Sequence, residues 1–370
     1  MSTESVLEAL KGVIDPDLNR DIVTLGFVKA EYVQIDKDHV SFKVVLTTPA
    51  CPVKEQLKAQ CEELVLAIDG VQSVTVKMDA VTVSSKAQSA STNRLPQVKN
   101  VIAVGSGKGG VGKSTVAANL AIALAQTGAQ VGLLDADIYG PSVPIMLGLK
   151  DRAPQINEQQ KIEPLVRYGL RTISMGFMLK DDDAVVWRGP MLGKALQQFV
   201  EDVAWPELDY LIIDLPPGTG DVQLSLSQLV ALDGAVVVTT PQDVAFADVR
   251  RAIRMFEMTK VPLLGLVENM SYFDCPDNGK RYHIFGEART ESRAKELNIH
   301  FLGGLPIDGQ IGPAADRGEP IIVADPSGIQ ADLYRTIAGK IAAELSKRHM
   351  AKENKKDLKD FFKVSTAPSS

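Results

Sequence analysis

The chain has little of what secreted, membrane-spanning or nucleic-acid-coating proteins rely on. It has three cysteines, too few and too odd in number for a disulfide framework, so free thiols in a reducing compartment are expected. No apolar run approaches the ~20 residues that cross a bilayer. The stretch from Met1 to Asp17 is polar and acidic, without the basic head and apolar core of a secretory signal. A cytoplasmic protein is the expectation. There is no excess of positive charge either: the formal net charge of −6 argues against a nucleic-acid partner. What is present is ordinary apolar content, 45% over 370 residues, enough for two domains at roughly 150 residues each.

One stretch organises the rest: Gly105-Ser106-Gly107-Lys108-Gly109-Gly110-Val111-Gly112-Lys113-Ser114-Thr115. An apolar run, Val98 to Val104, precedes it, and a helical pattern, Thr115 to Gln126, follows. Strand, glycine-rich turn and helix in that order are the setting in which G-x-x-x-x-G-K-[ST] means a phosphate-binding loop. Its glycines let successive N–H groups turn onto an anion, and the helix N-terminus adds partial positive charge. Residues Gly107 through Thr115 are therefore the candidate ATP-binding segment. Lys113 would reach the β- and γ-phosphates, and the Ser114 hydroxyl would hold Mg²⁺. The second lysine, Lys108, is not required by an ordinary loop. Lys-Gly-Gly-x-Gly-Lys-Ser resembles the deviant Walker A of the MinD/ParA/nitrogenase-iron-protein class. That resemblance implies that Lys108 reaches across a nucleotide-sandwich homodimer to the partner's phosphates, as an arginine finger does, so that hydrolysis is slow and needs a dimer.

From Val98 onward, β-branched apolar runs alternate with helical patterns, which predicts α/β architecture: a mostly parallel sheet covered by helices on both faces. Two of its strands end in carboxylates, Asp135-Ala136-Asp137 after Gln130 to Leu134, and Asp214 after Tyr210 to Ile213. Ligands of such sheets sit beyond the carboxyl ends of the strands. Asp214 resembles the Walker B residue that holds Mg²⁺ through water, with Asp135 in support. Asp137 resembles the residue that orients the attacking water, and Gly218 the switch glycine near the γ-phosphate. The strand Leu263 to Val267 runs into Asn269, which matches the asparagine that reads adenine in MinD-like ATPases; an amide offers both a donor and an acceptor to the base edge.

The N-terminal 85 residues predict a small α+β domain. It should have a helix over Val6 to Ile14, strands Phe27 to Ile35 and Val40 to Leu46, and a helix with a stripe of Val53, Leu57, Cys61, Leu64 and Ile68. A strand from Val71 to Val81 closes it. Cys61 on that stripe is core. Cys51 is expected at the N-cap with Pro52 at N1, where unsatisfied N–H groups favour thiolate. Asp15-Pro16-Asp17, Ile22 to Gly26 and Thr47 to Pro52 resemble the SufT/PaaD-type iron–sulfur assembly domain, which implies that Cys51 is the functional cysteine. Residues 86–97, low in periodicity and rich in Ser, Ala and Gln, read as a flexible linker. Residues 98–346 form the ATPase domain, and 347–370 a lysine-rich solvated tail in which Leu358, Phe361 and Phe362 stand at near-helical spacing.

The glycine loop, Asp135 to Ser142, Trp187 to Met191, Asp214 to Asp221, Glu268 to Ser271, Ile284 to Gly286 and Leu305 to Asp308 occur in that order. Together they resemble the Mrp/ApbC-type iron–sulfur cluster carrier ATPases. The resemblance implies a homodimer that holds a labile [4Fe–4S] cluster, hands it to apo iron–sulfur proteins, works with cluster-assembly scaffold proteins and hydrolyses ATP. One departure stands out. Where many relatives have Cys-x-x-Cys, this chain has Cys275-Pro276-Asp277-Asn278. Two copies of Cys275 supply two thiolates where a cluster commonly takes four, and Cys51 is the candidate for the others. Two other functions compete with this one. A MinD/ParA-like positioning ATPase would act on a membrane or nucleoid surface, and the basic aromatic tail is its support, although no membrane partner is expected. A reductase component like the nitrogenase iron protein would need a second cysteine in the ATPase domain.

Overall fold

The computed structural model describes residues 2–82, 94–138, 140–177, 189–218, 221–287 and 289–365. The chain divides into two compact units, Met1–Ser84 with Ala342–Ser370, and Ser85–Ile341.

The smaller unit opens with α1 (Thr3–Leu10), whose Ser2 and Ser5 side chains bond each other's backbone N–H in a capping box. Its sheet has three strands, β1 (Val33–Asp36), β2 (His39–Leu46) and β3 (Ser73–Ala80). β1 runs antiparallel to β2, and β3 parallel to it. Alternation along β2 sends Val40, Phe42, Val44 and Leu46 into the core. The crossover between β2 and β3 is carried by α2 (Lys54–Leu66). Leu57, Cys61 and Val65 are its buried residues, at i, i+4, i+8, while Val53, Leu64 and Ile68 pack at the margin.

Three expectations need correction here. The helix predicted to Ile14 stops at Leu10, because Ile14–Asp15 turns out to pair with Arg20–Asp21 as a short antiparallel ladder. The strand predicted from Phe27 begins only at Val33. Phe27 is buried and its carbonyl accepts from Val45 N at 2.8 Å, but Ala30–Tyr32 coils into a 3₁₀ turn. The segment from 347 is helical: one helix runs Ile329–Ser365. Within the smaller unit Leu345, Ser346 and His349 are buried on it, and Lys347 Nζ lies 2.9 Å from Asp17 Oδ1. The side chains of Leu358, Phe361 and Phe362 fall outside the described residues.

The larger unit is an eight-stranded sheet. In chain order its strands are β4 (Val98–Ser106), β5 (Val131–Asp135), β6 (Leu165–Arg167), β7 (Leu170–Ser174), β8 (Leu208–Asp214), β9 (Gly234–Thr239), β10 (Leu263–Glu268) and β11 (Phe301–Gly304). Their spatial order is β11-β10-β9-β4-β8-β5-β7-β6. Every pairing is parallel except the edge pair β6–β7. The strands read as continuous apolar runs because both faces are covered. Helix α3 (Lys113–Gln126) is buried from Val116 through Leu124, so its sequence is apolar all round. β4 lies mid-sheet with β8 on one side and β9 on the other, so its carboxyl end opens at the point where strand order reverses. Part of the predicted linker belongs to this core: Leu95 is fully buried in it, and Arg94 forms an ion pair with Glu201.

Candidate functional site: a lysine–carboxylate cluster beneath a glycine loop

The loop leaves β4 at Ser106 and enters α3 at Lys113. Gly110 and Gly112 have φ of +78° and +79°, left-handed values that a side chain resists. Gly112 is also the N-cap of α3. A Cβ there would come within 3.0 Å of the Asn269 amide nitrogen, and one at Gly107 within 3.0 Å of the Asp248 backbone. Both glycines are required for close approach. The Ser106 hydroxyl donates to Lys108 O at 2.9 Å, and Gly218 N donates to Ser106 O at 3.1 Å. The second bond fastens the Asp214–Gly218 turn to the loop.

Register explains how distant aspartates meet. Asp214 on β8 sits beside Asp135 on β5 and Val104 on β4, so both acids cap the sheet next to the loop. Lys113, only 6% exposed, reaches into this corner. Its ammonium donates to Asp214 Oδ1 at 2.5 Å and Ser114 Oγ at 3.2 Å, and lies 3.7 Å from Asp137 Oδ2. Burial drives the Asp214 carboxyl above its ordinary range, while Lys113 and the Ser114 hydroxyl pull it back. Asp135 is pushed up to about 7, first by burial and then by the charge on Asp214. It accepts bonds from Ser174 Oγ at 2.8 Å and Asp137 N at 3.1 Å. Three carboxylates therefore gather at one cation in a buried corner, and Asp214 Oδ2 and Asp137 Oδ1 have no hydrogen-bond partner among the described residues. Buried carboxylate oxygens without donors suit a further cation.

The remaining residues fall into place around this cluster or apart from it. Lys108 is part-exposed on the loop and has no carboxylate partner among the described residues. Thr115 packs on α3 with its hydroxyl towards Met146 Sδ. Asn269, 7% exposed, donates from its amide to Val111 O at 2.9 Å, so it braces the loop from behind. Cys275 starts a small hairpin, its N–H bonded to Lys280 O and its carbonyl accepting from Gly279 N. Asn278 spends its side chain on that turn, accepting from Lys280 N at 2.9 Å and donating to Tyr282 Oη at 3.1 Å. Cys51 lies in the other unit. It is not the N-cap: α2 begins at Lys54 with Val53 in that position. Burial pushes the thiol up to about 11, outweighing the Val53 N–H that bonds it and favours the thiolate. Among the described residues no group of three or more His, Cys, Asp or Glu side chains is placed to hold a metal ion. Tyr139, Trp187, Arg188, Thr219 and Gly220 lie outside the described residues.

Three contributors were given no role by sequence. Ser174 bonds Asp135 from β7, a partnership set only by sheet register. Gln223 donates to Pro216 O at 2.7 Å and steadies the turn after Asp214. Glu268, fully buried, accepts from Ser271 Oγ at 2.5 Å and from Thr290 Oγ1, fixing the strand end that carries Asn269. The sequence signal for Glu268 was a charged residue ending an apolar strand.

Fold and loop together define a P-loop NTPase. Comparison with known families narrows this. Residues 97–342 match the model described as NUBPL iron-transfer P-loop NTPase, and residues 3–78 match the model described as iron-sulfur cluster assembly protein. The chain belongs to the NUBPL-type iron-transfer P-loop NTPase family. It is 48% identical over 348 residues to the iron-sulfur cluster carrier protein of Deinococcus radiodurans, covering 94% of this chain and 97% of that one. To the protein of the same name from a Synechocystis strain it is 47% identical, covering 94% and 98%. Among solved structures it resembles a nucleotide-binding protein in complex with ADP from Archaeoglobus fulgidus. That match has a TM-score of 0.57 and 41% identity, covering 65% of this chain and 93% of that one. The cell-division ATPase MinD of Pyrococcus furiosus shares the fold at 21% identity and a TM-score of 0.50, covering 65% and 98%.

Proposed function

We propose that this chain is an ATP-hydrolysing carrier that binds a labile iron–sulfur cluster, [4Fe–4S] in type, and passes it to apo iron–sulfur proteins after loading from cluster-assembly scaffold proteins. The observation that carries the nucleotide half is the buried Lys113–Asp214–Asp137 cluster directly beneath a loop of left-handed glycines. The cargo half is supported by likeness at both ends of the chain, since relatives named as carriers match it over 94% of its length. Cytoplasmic residence fits this reading. No helix among the described residues is long and apolar enough to cross a membrane.

In this reading the loop N–H groups from Gly107 to Thr115 cradle the phosphates, and Lys113 turns from its carboxylates to the β- and γ-phosphates. The oxygens of Asp214 and Asp137 that are unpaired among the described residues, with the Ser114 hydroxyl, fit a hard divalent cation. Asp135 supports them through its bond to the Asp137 N–H. When bound, Mg²⁺ would neutralise charge on the β- and γ-phosphate oxygens. Asp137 orients the water, and Asn269, already against the loop, reads the adenine edge. Lys108, free of any carboxylate among the described residues, is available to a second copy of the chain, so turnover is slow and dimer-dependent.

The cargo is held by thiolates. Cys275 from each protomer provides two, and Cys51 is the candidate for the rest. Anaerobic reconstitution followed by iron and sulfide analysis tests this on the full chain. Cys275→Ser and Cys51→Ser should each lose cluster; full iron and sulfide in both would refute the ligand set. No cluster in the unaltered protein would refute the carrier reading itself.

A further inference from the structure

Helix α4 (Asp243–Met258) carries chemistry that the nucleotide site does not use. It forms one wall of a cleft of about 520 Å³, and the short helix Thr290–Glu296 with Arg289 forms the other. The lining includes Phe246, Ala247, Arg250, Arg289, Ser292 and Arg293. Phe246 is buried, and two guanidiniums flank its ring, Arg293 at 4.8 Å and Arg250 at 5.8 Å from the centroid. An aromatic face holds a guanidinium in place without consuming its hydrogen-bond donors. Arg293 is paired with Asp243, and Arg289 with Glu287 at 3.0 Å. Arg250 has no carboxylate partner among the described residues, and neither does Arg254, exposed one turn further along the same helix. Val244 and Met258, at the two ends of that helix, are 74% and 80% exposed. The Arg289–Glu287 pair is exposed and contributes little to folding, and Arg250 and Arg254 form no ion pair among the described residues to account for them. On a chain of net charge −6 it is a cationic strip with apolar ends.

We infer that this cleft is a docking site for a carboxylate-rich segment of a partner polypeptide. Charge complementarity selects the occupant. A compact phosphate dianion prefers converging donors with no anion nearby, whereas here the Asp243 and Glu296 carboxylates interleave with arginines spread over two helices. Singly charged side chains spaced along a peptide can each take one guanidinium as a two-pronged pair, Arg250 directly and Arg289 in exchange for its exposed partner Glu287. Apolar side chains between them would cover Ala247 and Val244. The site is also well placed. Asp248, two residues and so ~200° around the helix from both Phe246 and Arg250, has its backbone against Gly107 of the phosphate loop. The helix thus has the cleft on one side and the loop on the other. The inference does not depend on the cargo reading.

The test uses the intact protein and a fluorescein-labelled hexapeptide of alternating glutamate and leucine, titrated by anisotropy at low ionic strength. Binding should weaken as salt rises, and Arg250→Glu and Arg289→Glu should each weaken it by about tenfold. A peptide with lysine for glutamate should bind only to the doubly reversed variant, which keeps the experiment decisive if either reversal alone lowers stability. Equal affinity of the glutamate peptide for wild type and double variant would overturn the site. Displacement of the peptide by inorganic phosphate at equal concentration would overturn its assignment to a peptide.

Discussion

The phosphate-loop corner and the cysteine-bearing segments are built on opposite plans. Around Lys113, three strand ends and one helix start bring five polar side chains into a largely buried corner, and nearly every contact is fixed by backbone register. Around Cys275 there is an open two-strand hairpin, and around Cys51 a turn in which burial keeps the thiol protonated. A buried charge cluster must be complete within one chain, because a missing partner leaves an unpaid desolvation cost. A thiolate site that releases its cargo has the opposite requirement. Its ligands can come from separate chains and stay few until the metal arrives. The difference teaches that the nucleotide half of this protein is preorganised, and under the proposed function the cargo half would be assembled when the cluster arrives.

The sharpest way to break that contrast is Lys113→Ala. It leaves Asp214 and Asp137 buried without their cation, which costs on the order of 3–5 kcal/mol of stability, and turnover should fall by roughly 10²–10³. Thermal melting and phosphate release measure the two effects. Adding Asp214→Asn should recover most of the lost stability but none of the activity, because the uncompensated charge is gone. If the single variant melts like wild type, the corner is not the buried cluster described.

Lys108→Ala separates chemistry from folding. The side chain is part-exposed, so melting should move by no more than about 0.5 kcal/mol, while turnover should drop by roughly 10³ if it acts as a finger in trans. Turnover should also rise faster than linearly with protein concentration in the unaltered chain. A Lys108→Ala variant with full activity would make each protomer self-sufficient.

Legibility in the sequence followed the same divide. The loop, Asp135, Asp137, Asp214 and Asn269 could be read because each sits within a few residues of a strand end, and parallel topology brings strand ends together at one edge. The eight-stranded order and Ser174 on Asp135 could not be read, since they depend on which strands become neighbours; Gln223 on Pro216 is a local contact, seven residues apart, with no pattern in the sequence to mark it. The small unit was misread at Phe27–Ile35, where an alternating pattern hides a 3₁₀ turn, and at Cys51, where the proline two residues before α2 suggested a cap that Val53 supplies. Composition also misled in two places. Leu95 stands in a stretch that looks like linker yet is fully buried, and the lysine-rich C-terminal segment, expected to be solvated, carries the buried His349.

Leu95→Ala measures where the preorganised unit begins. Leucine truncation in a packed core costs about 2–5 kcal/mol, so the midpoint of denaturant unfolding should fall by an amount in that range. Turnover per folded molecule should hold, since Leu95 precedes β4 and the loop leaves the other end of that strand. A change near zero would return residues 94–97 to the linker.

The smallest effect concerns the cysteines themselves. With its thiol at about 11, Cys51 is almost entirely protonated at pH 8, and only the thiolate is alkylated. Its reaction with iodoacetamide should therefore be slow there and quicken about tenfold per pH unit until the pH nears 11. Cys61, fully buried and pushed up to about 12, should stay unmodified over the same range. Peptide mapping at stepped pH follows each site. The sign matters for the cargo proposal. Metal must displace a proton from Cys51, so a cluster that uses this thiol should load better as pH rises from 7 to 9. Rapid, pH-independent alkylation of Cys51 would show that the thiol is already ionised, and the contrast between a finished nucleotide corner and an unfinished cysteine site would lose its second half.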